Sequence, residues 1–258
     1  MRFGVCTSID NASVLAAIGF DYVEVHAGNL ASLDELEFAA FLEANAAAPI
    51  HAEAANCLFP GEIHLTGPDV DWAAVEAHLN KVFSRLQQAG ISNIAFGSGG
   101  SRTCPEGFPR EDAWRQLVHA GRLLALTGSK YGVTVALEPL RPAESNTINT
   151  MAEGARLVRE VDHPNFRLLC DLYHVAQGGG VPEDAAACGD LICHVHIAKP
   201  DDRRSMHPGD GCDYIRCFRA LKSAGYDGRI SFEGSCSDYA GELPGVLAVM
   251  KQSMEVGT

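Results

Sequence analysis

Val133-Thr134-Val135-Ala136-Leu137-Glu138, Phe166-Arg167-Leu168-Leu169-Cys170-Asp171, Cys193-His194-Val195-His196 and Arg229-Ile230-Ser231-Phe232-Glu233 are four short, apolar-rich runs, each closing on a carboxylate or an imidazole. Each reads as a buried strand of a parallel sheet, followed by a polar loop. The terminal groups stand about 25 to 40 residues apart, one strand–helix unit each. Similar runs cover the whole chain, with strands expected at 2–6, 21–26, 49–56, 92–97, 132–138, 166–171, 191–197 and 228–233. Helices are expected at 10–19, 32–46, 71–89, 111–131, 149–160, 182–190, 213–224 and 239–253. The helix over 71–89 is the clearest. Asp71 can cap it, and Val75, Leu79, Val82, Phe83 and Leu86 recur at helical spacing. His78 then lies beside that apolar face, on the surface.

Eight such repeats in 258 residues predict one domain, residues 1–258, folded as a single α/β (β/α)8 TIM barrel. An open doubly wound sheet would place a glycine-rich phosphate turn after its first strand. Thr7-Ser8-Ile9-Asp10 stands there instead. Gly97-Ser98-Gly99-Gly100-Ser101 follows the fourth strand and reads as a flexible loop before it reads as a phosphate cradle. The long loops 57–70, 98–110, 139–148 and 198–212 all follow strands, on the face where barrel enzymes keep their sites.

A net charge of −13 argues against nucleic-acid partners and against an anionic membrane surface. It leaves room for a local basic pocket, which Arg203 and Arg204 can supply. The nine cysteines show irregular spacing and no Cys-x-x-Cys, as expected in a reducing cytosol. The chain opens directly into a strand and has no signal-like segment or apolar stretch of membrane-spanning length, so a cytoplasmic location is expected.

Strand alternation places residues two apart on one face. It turns Val133, Val135 and Leu137 outward and Glu138 inward. Leu168, Cys170 and Leu172 go outward and Asp171 inward. Cys193, Val195 and Ile197 go outward and His194 and His196 inward. Ile230 and Phe232 go outward and Ser231 and Glu233 inward. Any one of the four terminal groups reads as well as a solvated strand end or half of an ion pair. All four at one mouth are different, because converging carboxylates repel unless a cation lies between them. Three carboxylates and one imidazole suit a single hard divalent ion, Mn2+ first, with Mg2+, Co2+ or Zn2+ as further choices. Glu24 with His26, and His51 with Glu53, share strand faces and read at least as well as mutually satisfied buried polar groups as substrate contacts. Trp72 and Trp114 read as packing residues.

Ala136-Leu137-Glu138-Pro139-Leu140, Cys170-Asp171-Leu172-Tyr173-His174, His194-Val195-His196-Ile197 and Ser231-Phe232-Glu233-Gly234 together resemble the xylose isomerase-like TIM-barrel superfamily. Within it they look most like the sugar phosphate isomerase/epimerase branch, which includes ketose 3-epimerases. Asn56-Cys57-Leu58-Phe59-Pro60-Gly61 and His207-Pro208-Gly209-Asp210-Gly211 fit the same group, and the resemblance spans essentially the whole chain. It implies a metal on Glu138, Asp171, His196 and Glu233. It also implies that Glu138 and Glu233 remove and return a carbon-bound proton through a cis-enediolate. His174 becomes a substrate-binding residue, its alternative being a structural hydrogen bond at a helix start. Glu144, six residues after Glu138, is also placed against substrate, although Pro139 and Pro142 intervene and an exposed loop charge is the other reading. Arg203, or Arg204 in its stead, supplies a substrate-binding arginine, and His207 is either a pocket residue or a loop histidine. The implied activity is a keto-sugar isomerase or epimerase acting on a small-molecule sugar. The rivals are a lyase or dehydratase on a keto-sugar, keto-inositol or keto-glycoside, an endonuclease-type phosphodiesterase, and a non-catalytic sugar-binding barrel. Relatives of this kind are often dimers or tetramers, so the resemblance also implies a homo-oligomer.

Overall fold

In a computed structural model, which describes residues 1–256, the chain closes eight parallel strands into a barrel in sequence order. Residues 257 and 258 of the expected 1–258 domain lie outside the described residues. The strands are β1 (Arg2–Cys6), β2 (Tyr22–His26), β3 (Ala52–Asn56), β4 (Asn93–Phe96), β5 (Thr134–Leu137), β6 (Phe166–Asp171), β7 (Ile192–Ile197) and β8 (Arg229–Phe232). The helices are α1 (Ala12–Ile18), α2 (Ala27–Ser32), α3 (Glu35–Ala47), α4 (Trp72–Gln88), α5 (Gly99–Arg102), α6 (Arg110–Tyr131), α7 (Met151–Val161), α8 (Leu172–Gln177), α9 (Glu183–Ala186), α10 (Tyr214–Ser223) and α11 (Tyr239–Val256). The chain thus forms the expected (β/α)8 barrel.

The outward strand positions make the main core. Val135, Leu137, Leu168, Cys170, Val195, Ile197, Ile230 and Phe232 all pack with the helices in one buried apolar cluster. α4 contributes the five predicted residues, and Asp71 Oδ1 accepts from the Ala74 N–H at 3.0 Å to cap it. Inside the barrel the character changes. Ala95, Ala136 and Leu169 form a small separate patch. Below, at the N-terminal floor, Glu53 pairs with Arg2 and Arg229.

Cys193 departs from its expected outward position: it packs against that inner patch and accepts a 3.7 Å contact from the Asn93 side-chain amide. The cause is a register shift, in which Leu168 faces Ile192 but Leu169 faces His194. One extra residue on β7 breaks the alternation, so Cys193 and His194 both turn inward. The expected helix over 32–46 is α3, which begins at Glu35, and a short helix, α2, precedes it. Asp34 starts α3 with a capping box, accepting from Glu37 N–H at 2.8 Å while Glu37 Oε2 accepts from Asp34 N–H at 2.9 Å. His78 is half-buried rather than on the open surface. Its Nε2 lies 2.8 Å from the Leu58 carbonyl, and its ring stacks on Phe59.

Where α6 hands over to β5, Gly128 lies so close to the next strand that a Cβ would stand 2.5 Å from the Val133 carbonyl oxygen. Gly128→Ala is therefore expected to lower the denaturant midpoint and cost about 1–3 kcal/mol. An unchanged midpoint would show that the helix does not pack as described.

Candidate metal centre

Glu138, Asp171, His196 and Glu233 come from the ends of β5 to β8 and meet at the C-terminal mouth. One ligand atom from each lies within 4.8 Å of all the others. Their local roles explain the aim of each side chain. Asp171 Oδ1 caps α8 by accepting from the Tyr173 N–H at 2.8 Å, which leaves Oδ2 for the cluster. His196 Nδ1 lies 3.3 Å from Glu138 Oε1 and 3.1 Å from Glu233 Oε2, so the imidazole stands between the two glutamates. Asn56 supports Glu233 from the side, its amide donating to Oε1 at 3.3 Å.

The electrostatics divide the two glutamates. Burial pushes the Glu138 carboxyl up, with Glu233 and Asp171 adding to the rise against the pull of His196. Burial also works against the Glu233 carboxylate, but His196 and Arg203 outweigh it and hold it at about 2. Glu24, beneath the cluster, is likewise opposed by burial and held well below the usual carboxylate range by His196 and His194. His196 is opposed by burial and pushed up by Glu24 and Glu233. A divalent cation fits this donor set: three hard carboxylates and one imidazole converge in a buried space, where burial first and repulsion second raise Glu138.

Arg203, His174 and Glu144 form a ring at the rim. Arg203 Nη2 donates to Glu233 Oε2 at 2.5 Å and to Asp171 Oδ2 at 3.4 Å, and the guanidinium lies over the Tyr173 ring. The left-handed φ of 57° at Arg203 turns this residue inward, while Arg204 pairs its backbone with Ser235. His174 is buried. Its Nδ1 accepts from the Arg141 N–H at 3.3 Å, and its Nε2 has no hydrogen-bond partner among the described residues, lying 3.6 Å from Asp171 Oδ2 and 3.9 Å from Glu144 Oε2. Glu144 is held by Arg141 at 2.8 Å. His207 is not brought to this ring. It is exposed, its N–H donates to Asp210 Oδ2 at 3.1 Å, and its ring lies beside Gly245 of α11. Glu24 turns into the barrel, whereas His26 is exposed and its Nδ1 accepts from Asn29 N–H to start α2. His51 and Glu53 do not satisfy each other: His51 Nδ1 contacts the Asn45 carbonyl, and Glu53 pairs with the two floor arginines.

Two residues at the site carried no sequence signal. Arg102, at the end of α5, is fully buried and donates through Nη2 to the Glu138 carbonyl at 2.6 Å, fixing the strand end that bears the carboxylate. Gly97 faces Glu138 so closely that a Cβ would lie 2.3 Å from Oε2. The stretch expected as a flexible loop is therefore part of the wall of the centre.

The chain belongs to the xylose isomerase-like TIM barrel family, whose model matches residues 12–256. It is 30% identical over 168 residues to 3-dehydro-D-guloside 4-epimerase of Escherichia coli, covering 60% of this chain and 62% of that one. It is 29% identical over 158 residues to L-ribulose 3-epimerase of a Methylomonas species, covering 57% of this chain and 54% of that one. The matches thus span less than two thirds of the length of either relative. The crystal structure of D-psicose 3-epimerase with D-tagatose from Clostridium cellulolyticum has the same fold, with a TM-score of 0.83 at 19% identity over 99% of both chains.

Gly97→Ala tests the wall directly, since its backbone is not in the left-handed region and the added Cβ meets Glu138 far more closely than its other neighbour, Leu140 at 3.6 Å. We expect Mn2+ affinity to fall about tenfold by calorimetric titration while the melting curve keeps its shape. Equal affinity would mean that Glu138 Oε2 does not need this wall.

Proposed function

We propose that this chain is a divalent-metal-dependent epimerase or isomerase of keto-sugars, with Glu138 and Glu233 as its acid and base. The observation that carries the reading is the pair itself. The two carboxylates come from the ends of β5 and β8, three strands apart, flank His196 Nδ1 at 3.3 and 3.1 Å, and are pushed in opposite directions by their surroundings. Paired groups with divergent proton affinities are the arrangement acid–base exchange at one carbon requires. The names of the matched relatives, a 4-epimerase and a 3-epimerase of keto-sugars, support the same class.

Glu138, Asp171, His196 and Glu233 would hold a divalent ion, Mn2+ first, which would supply Lewis-acid charge beside the carbonyl. Glu233, held ionised by His196 and Arg203, takes the proton from the carbon next to the carbonyl. Glu138, which retains a proton more readily, returns one to the other face. The reverse reaction runs with the roles exchanged. Arg203 steers a substrate oxygen beside Glu233, and the unpartnered Nε2 of His174 donates to or accepts from a sugar hydroxyl. Glu144 anchors Arg141 and lies within 3.8 Å of Arg203, closing the rim.

In deuterium oxide with Mn2+, the wild type should exchange the carbon-bound proton of its ketose or keto-glycoside substrate. Glu138→Gln and Glu233→Gln should each slow that exchange by about 10²–10⁴-fold. Retained exchange in both variants would rule out the two-glutamate reading. A product of unchanged mass supports epimerisation or isomerisation, and loss of water or an aglycone assigns the same residues to a lyase.

A further inference from the structure

We propose that Glu24, on β2, is the positioning residue of the centre: it fixes the His196 ring so that Nε2 keeps its proton and Nδ1 is the nitrogen turned to the cluster. Glu24 is fully buried inside the barrel, one layer beneath the ligands. Its Oε1 lies 2.9 Å from His196 Nε2, and its Oε2 lies 2.7 Å from His194 Nε2. A carboxylate only accepts, so each imidazole nitrogen facing it is N–H. With Nε2 committed to Glu24, His196 has Nδ1 left for the side where Glu138 and Glu233 lie.

Glu24 is itself held in place. Ser231 Oγ donates to Glu24 Oε2 at 2.5 Å, and the Tyr22 hydroxyl lies 2.8 Å from the same Ser231 oxygen. Ser231 has one proton and gives it to Glu24, so Tyr22 donates to Ser231. The relay Tyr22 to Ser231 to Glu24 to His196 crosses β2, β8 and β7, all inside the barrel. His194, inward by ordinary alternation from His196, takes the second oxygen and stops the carboxylate from rotating. Such carboxylate–histidine pairs behind a metal fix ring orientation and raise ligand basicity, and losing one weakens binding by about 10–100-fold. Glu24 itself is not among the four converging ligands and acts through His196.

The consequence for metal affinity rests on the proposed metal centre, whereas the ring placement does not, so the test reads both. In protein labelled with 15N-histidine, the His196 Nε2 proton should be visible and slow to exchange, and it should be lost in Glu24→Ala. Calorimetric titration with Mn2+ should show affinity falling about 10–100-fold in Glu24→Ala. The fall should be smaller in Glu24→Gln, whose amide oxygen still accepts from Nε2–H, and only a few-fold in Ser231→Ala, which removes one of the two hydrogen bonds at Glu24 Oε2. A wild-type His196 without a proton on Nε2 would overturn the proposal. So would Mn2+ affinity unchanged in both Ser231→Ala and a folded Glu24→Ala. If Glu24→Ala fails to fold, the wild-type Nε2 signal and Ser231→Ala decide. If the wild type binds no Mn2+, the metal centre itself is refuted, and the Nε2 signal still decides how His196 is held.

Discussion

Three carboxylates forced together in a space from which water is largely excluded are the constraint on which the rest of this molecule turns. Each strand end alone is an ordinary polar terminus. At the mouth, Glu138, Asp171 and Glu233 share one small volume with His196, and their repulsion has no apolar solution. A protein cation answers part of it. The Arg203 guanidinium supplies that charge to Glu233 and Asp171, and the His196 ring separates the two glutamates. What remains is the raised Glu138 carboxyl, and a divalent ion suits that remainder better than another side chain, because it satisfies several oxygens at once.

The barrel spends its two faces differently to hold this arrangement. Outward positions are apolar and lock the strands to the helices. Inward positions descend from the four converging groups, through the buried Glu24, His194 and Ser231, past the small Ala95, Ala136 and Leu169 patch, to the arginine–glutamate floor. A polar interior of this kind is tolerated because its groups answer one another, and it fixes ring and carboxylate orientations more tightly than solvent-exposed loops would. The rim is looser: Glu144 and Arg203 are each about a third exposed, which suits groups that meet a substrate.

Much of this was legible in the sequence, because one physical rule, the two-residue period of a strand, places Glu138, Asp171, His196 and Glu233 without any knowledge of tertiary contacts. The rule failed where the ladder itself was irregular. The shift opposite Leu168 and Leu169 turned Cys193 inward, and no local composition signals such a shift. Gly97 and Arg102 were missed for a different reason. Their roles are approaches across the barrel mouth, one of a missing Cβ to Glu138 and one of a guanidinium to a carbonyl, and only the closed structure defines them. The start of α3 was readable, since Asp34-Glu35-Leu36-Glu37 carries the capping-box spacing that begins a helix. His207 lay in a glycine-rich loop whose path the sequence does not define, and Asp210 folds that loop back toward α11.

Stoichiometry tests the central claim most directly. Metal-free protein titrated with Mn2+ and analysed by elemental mass spectrometry after gel filtration should retain one ion per chain, and Asp171→Asn, which keeps the volume of the side chain and removes its charge, should retain almost none. A wild type that holds no ion, or an Asp171→Asn protein that holds as much as the wild type, would contradict the account.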